Sequence, residues 1–336
     1  MVVIGASAGG VETLMALVPT LPHDLAAPVF IVLHIPPDSP SLLAQILSRY
    51  AKLPVSQGEH GRKYEQGHIY IAPPDHHLLV ETDGTMRAVR GPRENRHRPA
   101  IDPLFRSAAL AAGPGAVGVI LSGTLDDGTA GLLAVKQRGG VAIVQEPTDA
   151  LYPDMPISAL GHVEVDYRLP LAAIGAQIAE TVRAPWSEQP RNNVLATQRM
   201  KLETGMAEMD PEAMQQDDRP GKPSPFSCPD CGGVLWEIED GEYTRYRCRV
   251  GHAYSPDTML GAQDDVLEEA LWSALKTLEE SVRLSDRLAM TERNRGHDWM
   301  ARRFDDKAND ARQRADAIRR FLVSQPESPS IRGESV

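Results

Sequence analysis

The first half of the chain is predicted to be α/β, a doubly wound, mostly parallel sheet with helices on both faces, followed by a small cysteine-bearing β-module and a helical hairpin. Three observations predict this. Short apolar β-rich runs alternate with amphipathic helical runs from residue 1 to about 183, the pattern of a parallel sheet covered by crossover helices. All three cysteines fall in one window, at Cys228, Cys231 and Cys248. Two long stretches with apolar residues at helical spacing follow that window.

The strands expected in order are Val2–Ile4, Val29–Leu33, Ile69–Ala72, Val117–Leu121 and Val141–Gln145, with helices over Val11–Val18, Leu42–Tyr50, Leu104–Ala112, Thr129–Arg138 and Leu171–Val182. Ser39-Pro40 and Asp102-Pro103 read as a cap and a first-turn proline ahead of helices, and Gly139-Gly140 closes another. Ile69-Tyr70-Ile71, Leu78-Leu79-Val80 and Met86–Val89, divided by Pro73-Pro74-Asp75 and Asp83-Gly84, suggest a meander inserted beside the sheet. From Arg183 to Phe226 prolines recur at 185, 190, 211, 220, 223 and 225 among polar residues, the composition of a linker. The last third predicts an antiparallel helix pair. Its first helix carries Val266, Leu267, Leu271, Ala274, Leu275, Leu278 and Val282; its second carries Phe304, Ala308, Ala311, Ala315, Ile318 and Leu322; Asn294–Gly296 turns between them.

The 336 residues are 42% hydrophobic and 24% charged, which suits one large domain and a smaller one. A formal net charge of −11 argues against a broad nucleic-acid or anionic-membrane surface. No basic n-region precedes the first strand, and Val29–Leu33 and Ala116–Leu121 fall far short of the ~20 apolar residues that span a bilayer. A cytoplasmic protein without membrane insertion is expected.

Ligands and reactive groups collect at the carboxyl ends of parallel strands. Ser7 follows the first strand within Gly5-Ala6-Ser7-Ala8-Gly9-Gly10; His34 follows the second; Asp126 and Asp127 follow the fourth through Ser122-Gly123-Thr124-Leu125. The hexapeptide reads either as a G-x-S-x-G nucleophile elbow or as a worn dinucleotide fingerprint. The dinucleotide reading needs a glycine where Ser7 stands and an acid about 20 residues on, where the second strand instead ends in His34. A serine, a histidine and an aspartate on three strand ends are the parts of an acyl-transfer triad. Gly9-Gly10 and the helix N-terminus after Ser7 then offer N–H groups for a partial oxyanion hole.

Five motifs in collinear order resemble the catalytic domain of the chemotaxis protein-glutamate methylesterases, the CheB type. They are Gly5–Gly10, Leu33-His34-Ile35-Pro36, His97–Ala108, Ser122–Gly128 and Met155-Pro156. The resemblance implies a serine hydrolase that removes methyl groups from methylated glutamate side chains on chemoreceptor helices, releases methanol, and also deamidates receptor glutamines. It assigns Ser7 as nucleophile, His34 as general base and Asp127, preferred over Asp126 on alignment with Gly128, as the orienting acid, with no cofactor for catalysis. Asp102 and Arg98 match as well, and Asp102 is read as a helix cap. The family's most studied members carry an N-terminal phosphoacceptor receiver; here Met1 opens the first catalytic strand, so control is expected from elsewhere. Ala8 and Thr124-Leu125 depart from the frequent family residues, which keeps an esterase or amidase acting on another protein, or a noncatalytic signalling scaffold, as alternatives. Chemoreceptor helices are the expected partners, with other chemotaxis or two-component proteins beside them.

Cys228-Pro-Asp-Cys231, then Cys248 and His252, spaces a knuckle and a closing pair for a structural zinc with no open position for catalysis. Val234–Ile238 and Tyr243–Arg247 around Asp240-Gly241 complete a zinc-ribbon-like hairpin. Between Cys228 and His252 Asp230, Glu237, Glu239, Asp240 and Glu242 outnumber Arg245, Arg247 and Arg249, so docking to protein is favoured over nucleic acid. The helix pair is read first as packing and second as a homodimer seam. The layout is a catalytic domain over 1–183, a linker over 184–226, the zinc-ribbon-like module over 227–260, the helical hairpin over 261–323 and a disordered tail over 324–336.

Overall fold

Seven parallel strands form the central sheet of the structure, a computed structural model that describes residues 1–185, 194–216 and 219–324. The chain runs β1 (Val2–Ala6), α1 (Gly10–Leu17), β2 (Val29–Leu33), α2 (Leu43–Ser48), β3 (Val55–Gln57) and β4 (Ile69–Ile71). It continues through β5 (His77–Val80), β6 (Met86–Val89), α3 (Ile101–Ala112), β7 (Val117–Ile120), α4 (Thr129–Gln137) and β8 (Val141–Gln145), then α5 (Asp154–His162), β9 (Tyr167–Leu169) and α6 (Leu171–Arg183). The sheet order is β3-β4-β2-β1-β7-β8-β9. From β1 the chain goes first to β2 on one side, where β4 later inserts between β2 and the edge strand β3, and then to β7 on the other, so the switch point where open α/β sheets bind ligands lies between β1 and β7.

Side chains alternate across the strands, and the two sets face two cores. Val2 and Ile4 of β1, Ile31 of β2 and Val119 of β7 pack under Leu14, Leu17, Leu47, Ile174 and Ile178 from α1, α2 and α6. Val3, Phe30, Val32, Ile120 and Val144 pack on the other face under Ile101, Phe105, Leu132 and Met155 from α3, α4 and α5. A sheet buried on both faces needs the near-continuous apolar strands that the sequence shows.

Several elements differ from expectation. Ile69–Ile71 is a full member of the main sheet, and the expected meander is reduced to the antiparallel hairpin β5–β6. Neither proline signal marks a cap: α2 starts at Leu43 after Leu42, and α3 is capped by extended Ala100, which places Asp102 inside its first turn. The expected linker is largely folded. Helix α7 (Val194–Ala207) and helix α8 (Pro211–Gln215) occupy it, with Ala196, Met200, Met206 and Ala207 buried. Asp210 caps α8 by accepting from the Glu212 N–H, and Pro211 stands at the first helical position.

The ribbon is a four-stranded sheet of β10 (Lys222–Ser227), β11 (Val234–Asp240), β12 (Tyr243–Cys248) and β13 (Ala253–Tyr254). It belongs to the same compact unit as the parallel sheet, Met1–Leu260, rather than to a separate domain. The second unit begins at Gly261 within helix α9 (Pro256–Asn294), and α10 (Asp298–Ser324) runs back antiparallel along it after a turn at Gly296. Arg293–Asp305, Arg312–Asp286 and Arg319–Glu279 pair across this hairpin over a seam holding Leu275, Ala289, Ala308, Ala311 and Ala315. Of the expected first stripe, Val266 and Leu267 stay exposed, so that part of the packing reading fails. The tail expected over 324–336 lies outside the described residues after Ser324. Among the described residues no helix is long and apolar enough to cross a membrane.

Candidate active site

β1 and β2 run in register, Ala6 beside Leu33, so the residues that follow them emerge together at the carboxyl edge. The His34 N–H donates to the Ala6 carbonyl at 3.3 Å and the Ser7 N–H to the Ser122 carbonyl at 2.9 Å, which ties three strand ends into one platform. Gly9 holds the left-handed conformation (φ 68°) that turns the chain from the strand into α1. Gly123 allows the β7 loop to approach the serine, since a Cβ there would stand 2.0 Å from Met155 Sδ and 2.8 Å from Ser7 Cβ.

The three residues singled out from the sequence meet. His34 Nδ1 lies 3.0 Å from Ser7 Oγ, and His34 Nε2 lies 2.7 Å from Asp127 Oδ2. With Asp127 accepting the Nε2–H, the Nδ1 lone pair faces the serine hydroxyl, as a general base requires. Asp127 is buried and accepts from the N–H groups of Ile101 (2.7 Å), Gly128 (3.0 Å) and Asp102 (3.3 Å) and from Asn95 Nδ2 (2.9 Å). Burial opposes its ionisation, but the bonds from His34, Ile101 and Asn95 prevail and hold the carboxyl below its usual range. Asp126 does not face His34. It accepts from Ser255 Oγ at 2.8 Å and Tyr243 hydroxyl at 3.2 Å, and burial pushes its pKa up to about 6.

Asp102 is a member of this network and not a cap. Its carboxyl accepts from the Gly131 N–H at 2.6 Å and from Asn95 Nδ2 at 2.9 Å. Burial, Asp127 and Glu94 push its pKa well above the ordinary aspartate value. The Gly10 N–H, expected as an oxyanion donor, is already satisfied by the Ser7 carbonyl at 2.9 Å. Arg98 lies off the triad, donating to Asp75 Oδ1 at 2.8 Å and to the Gly91 carbonyl at 2.7 Å.

Two residues without a role in the sequence reading complete the site. The His97 ring stacks on His34, and Asn95 bridges Asp127 and Asp102. Both sit on the 91–100 loop, which buried His77 holds by donating from Nε2 to the Pro92 carbonyl (2.8 Å) and accepting the Ala100 N–H at Nδ1 (3.2 Å). Loop residues carry no periodicity, and only their presence in or near the His97–Ala108 motif could have marked them.

The cysteine window forms a second constellation. Cys228 Sγ and Cys248 Sγ lie 3.7 and 3.6 Å from His252 Nδ1, and Cys231 Sγ lies 3.7 Å from Cys248 Sγ. A tetrahedron with zinc–sulfur bonds of ~2.3 Å has edges of ~3.8 Å, so the four ligand atoms fit this metal. All of them lie within 4.8 Å of one another.

A parallel α/β sheet with serine, histidine and aspartate linked at its carboxyl edge has the form of a serine hydrolase. The model of the CheB methylesterase family matches residues 2–178, and the chain belongs to that family. A Leptospira interrogans relative, provisionally named a protein-glutamate methylesterase/protein-glutamine glutaminase, is 39% identical over 173 residues, 52% of this chain and 90% of that one. A Burkholderia lata relative named protein-glutamate methylesterase/protein-glutamine glutaminase 3 is 39% identical over 181 residues, but the match covers 53% of this chain and only 50% of that longer one. The crystal structure of the Thermotoga maritima CheB methylesterase catalytic domain matches with a TM-score of 0.52 and 35% identity, covering 53% of this chain and 96% of that one. The family match ends before α7, so the ribbon and hairpin lie outside it.

Proposed function

We propose that this protein hydrolyses the methyl esters of glutamate side chains on chemoreceptor helices, with Ser7 as nucleophile, His34 as general base and Asp127 as the acid that orients it. The single observation carrying this reading is the continuous Ser7–His34–Asp127 hydrogen-bond chain in a chain of the methylesterase family.

Ser7 Oγ attacks the ester carbonyl carbon while His34 Nδ1 takes the hydroxyl proton. The C–O bond to the methoxy group then breaks, that proton leaves with methanol, and the glutamyl group remains as an ester of Ser7. A water, deprotonated by the same nitrogen, attacks the acyl-enzyme and releases the glutamate carboxylate and a free Ser7. Asp127 stays ionised throughout and stabilises the imidazolium formed in each half. A glutamine side chain would follow the same path with ammonia as the leaving group. This sequence uses no cofactor. Cys228, Cys231, Cys248 and His252 are assigned to a zinc that would hold the ribbon's two knuckles together, all four positions being filled by protein. We place the protein in the cytoplasm, with receptor helices and other chemotaxis proteins as partners.

Peptides bearing a glutamyl methyl ester or a glutamine test the chemistry. The wild type is expected to release methanol from the first and ammonia from the second, and Ser7→Ala neither. Hydrolysis surviving in Ser7→Ala would overturn the assignment.

A further inference from the structure

The ribbon and the start of α9 reach the triad acid through one side chain. Buried Asn95 donates from Nδ2 to Asp127 Oδ1 and to Asp102 Oδ2, each at 2.9 Å. Its carbonyl oxygen faces the other way and accepts the Ser255 N–H at 3.1 Å and the Thr258 hydroxyl at 3.3 Å. Its own N–H donates to the Ala253 carbonyl at 2.8 Å. The side chain is thus saturated, with the acid on one end and the ribbon segment on the other.

The flanking residues repeat this arrangement. Glu94 is gripped in two-pronged fashion by Arg106 of α3 (2.7 and 3.2 Å) and by Arg247 of β12 (2.9 and 3.0 Å). Asp126, the residue before the triad acid, accepts from Tyr243 of β12 and Ser255. Asn95 has a positive φ of 51°, a conformation that asparagine adopts more readily than other residues bearing a side chain.

We propose that Asn95 is a positioning residue for Asp127, set in place by Thr258 and Ser255, so that the segment from β12 to the start of α9 is a working part of the active site of this chain. The inference rests on the triad reading above. Donation from Asn95 disperses the charge of Asp127 and fixes the carboxylate plane toward His34 Nε2. Without it, the less compensated carboxylate holds the proton shared with His34 more tightly, which moves the acidic limb of the activity profile to higher pH. The titratable groups that act on this pair are His97 of the same loop, Asp102 of α3, His77 of β5 and Asp126; behind them stand Arg93 and Arg96 beside His97, Glu94 beside His77 and Asp102, and Tyr243 beside Asp126 and Asp102.

The test uses the full chain and a glutamyl methyl ester peptide, with rates normalised to sites titrated by a fluorophosphonate, so that unfolded protein does not count. Asn95→Ala is expected to lower kcat about tenfold or more with KM within about twofold, and to move the acidic limb of kcat/KM up by roughly 0.5 pH. Thr258→Val, which touches no reacting atom, is expected to lower kcat about threefold and to move the limb in the same direction. An unmoved limb in both variants, with only stability lost, overturns the proposal. If Asn95→Ala does not fold, Thr258→Val decides alone, and an unchanged limb and kcat overturn it. A wild type without hydrolysis, or Ser7→Ala with it, would instead refute the triad reading.

Discussion

The ring of His97 lies flat on the ring of His34, with centroids 3.6 Å apart and planes within 10°. Burial, and then the neighbouring His34, push the His97 pKa well below the ordinary histidine value, which favours the neutral ring. The His97 ring thus covers one face of the His34 imidazole. His97→Ala is expected to lower kcat about tenfold, whereas His97→Phe, which keeps a stacked ring, stays within about threefold of wild type in steady-state assays on the ester peptide.

Asp127 is expected to be the most sensitive carboxylate of the site. Asp127→Asn keeps the shape but reverses the preferred proton position on His34, and the fall in kcat should be on the order of 10³–10⁴-fold. Asp126→Asn, one residue away but turned toward Ser255 and Tyr243, should remain within about tenfold on the same scale. Parallel titration of kcat in the two variants checks this, and equal losses would remove the distinction between the two acids.

Gly123→Ala places a methyl group where Met155 Sδ and Ser7 Cβ already stand, at 2.0 and 2.8 Å. Either the β7 loop or the serine must shift by a large fraction of an ångström. A displacement of that size is expected to lower kcat about 10²-fold with little change in the urea midpoint, since the strain falls at a loop.

The buried knot of Arg106, Arg245 and Arg247 with Glu94 and Glu203 predicts a pH-dependent stability. Burial opposes ionisation of Glu203, but Arg245, Arg247 and Arg106 outweigh it and bring the pKa down to about 2; Glu94 is lowered further by Arg106 and Arg247. For a carboxylate whose folded pKa lies below the unfolded one, the stabilisation is present above about pH 4.3 and is lost as pH falls through the folded value. The urea midpoint should therefore drop steadily from pH 4 toward pH 2. Glu94→Gln, which leaves Arg106 and Arg247 short of a counter-charge, should cost about 3–5 kcal/mol at pH 7.

One zinc per chain is expected by elemental analysis, falling to none in Cys231→Ser with Cys248→Ser. Removing it should change the fluorescence of Trp236, which lies in β11 opposite Arg247, the residue before Cys248, and lower the Tm. A wild-type chain purified without metal that melts like the loaded one would contradict the ribbon assignment.

Much of this arrangement was legible in the sequence because it repeats a rule. Ser7, His34 and Asp127 each follow an apolar strand, and parallel strands in register bring their ends together. Residues 194–216 read as a linker because prolines surround them and because the buried stripe of α7 uses Ala196, Met200 and the ion-paired Glu203 in place of Leu or Ile. Asn95 and Asp102 are not legible as site members for another reason. Their roles arise from contacts with Asp127, Gly131 and Ser255, and no local pattern encodes a partner 160 residues away.

Methanol release from membranes carrying methylated chemoreceptors tests the central claim most directly. Wild type should release methanol in step with the appearance of glutamate carboxylates on the receptor helices, and Ser7→Ala, equally folded, should release none above background. Equal release by the two proteins, or none by the wild type while it still hydrolyses other esters, would contradict the account.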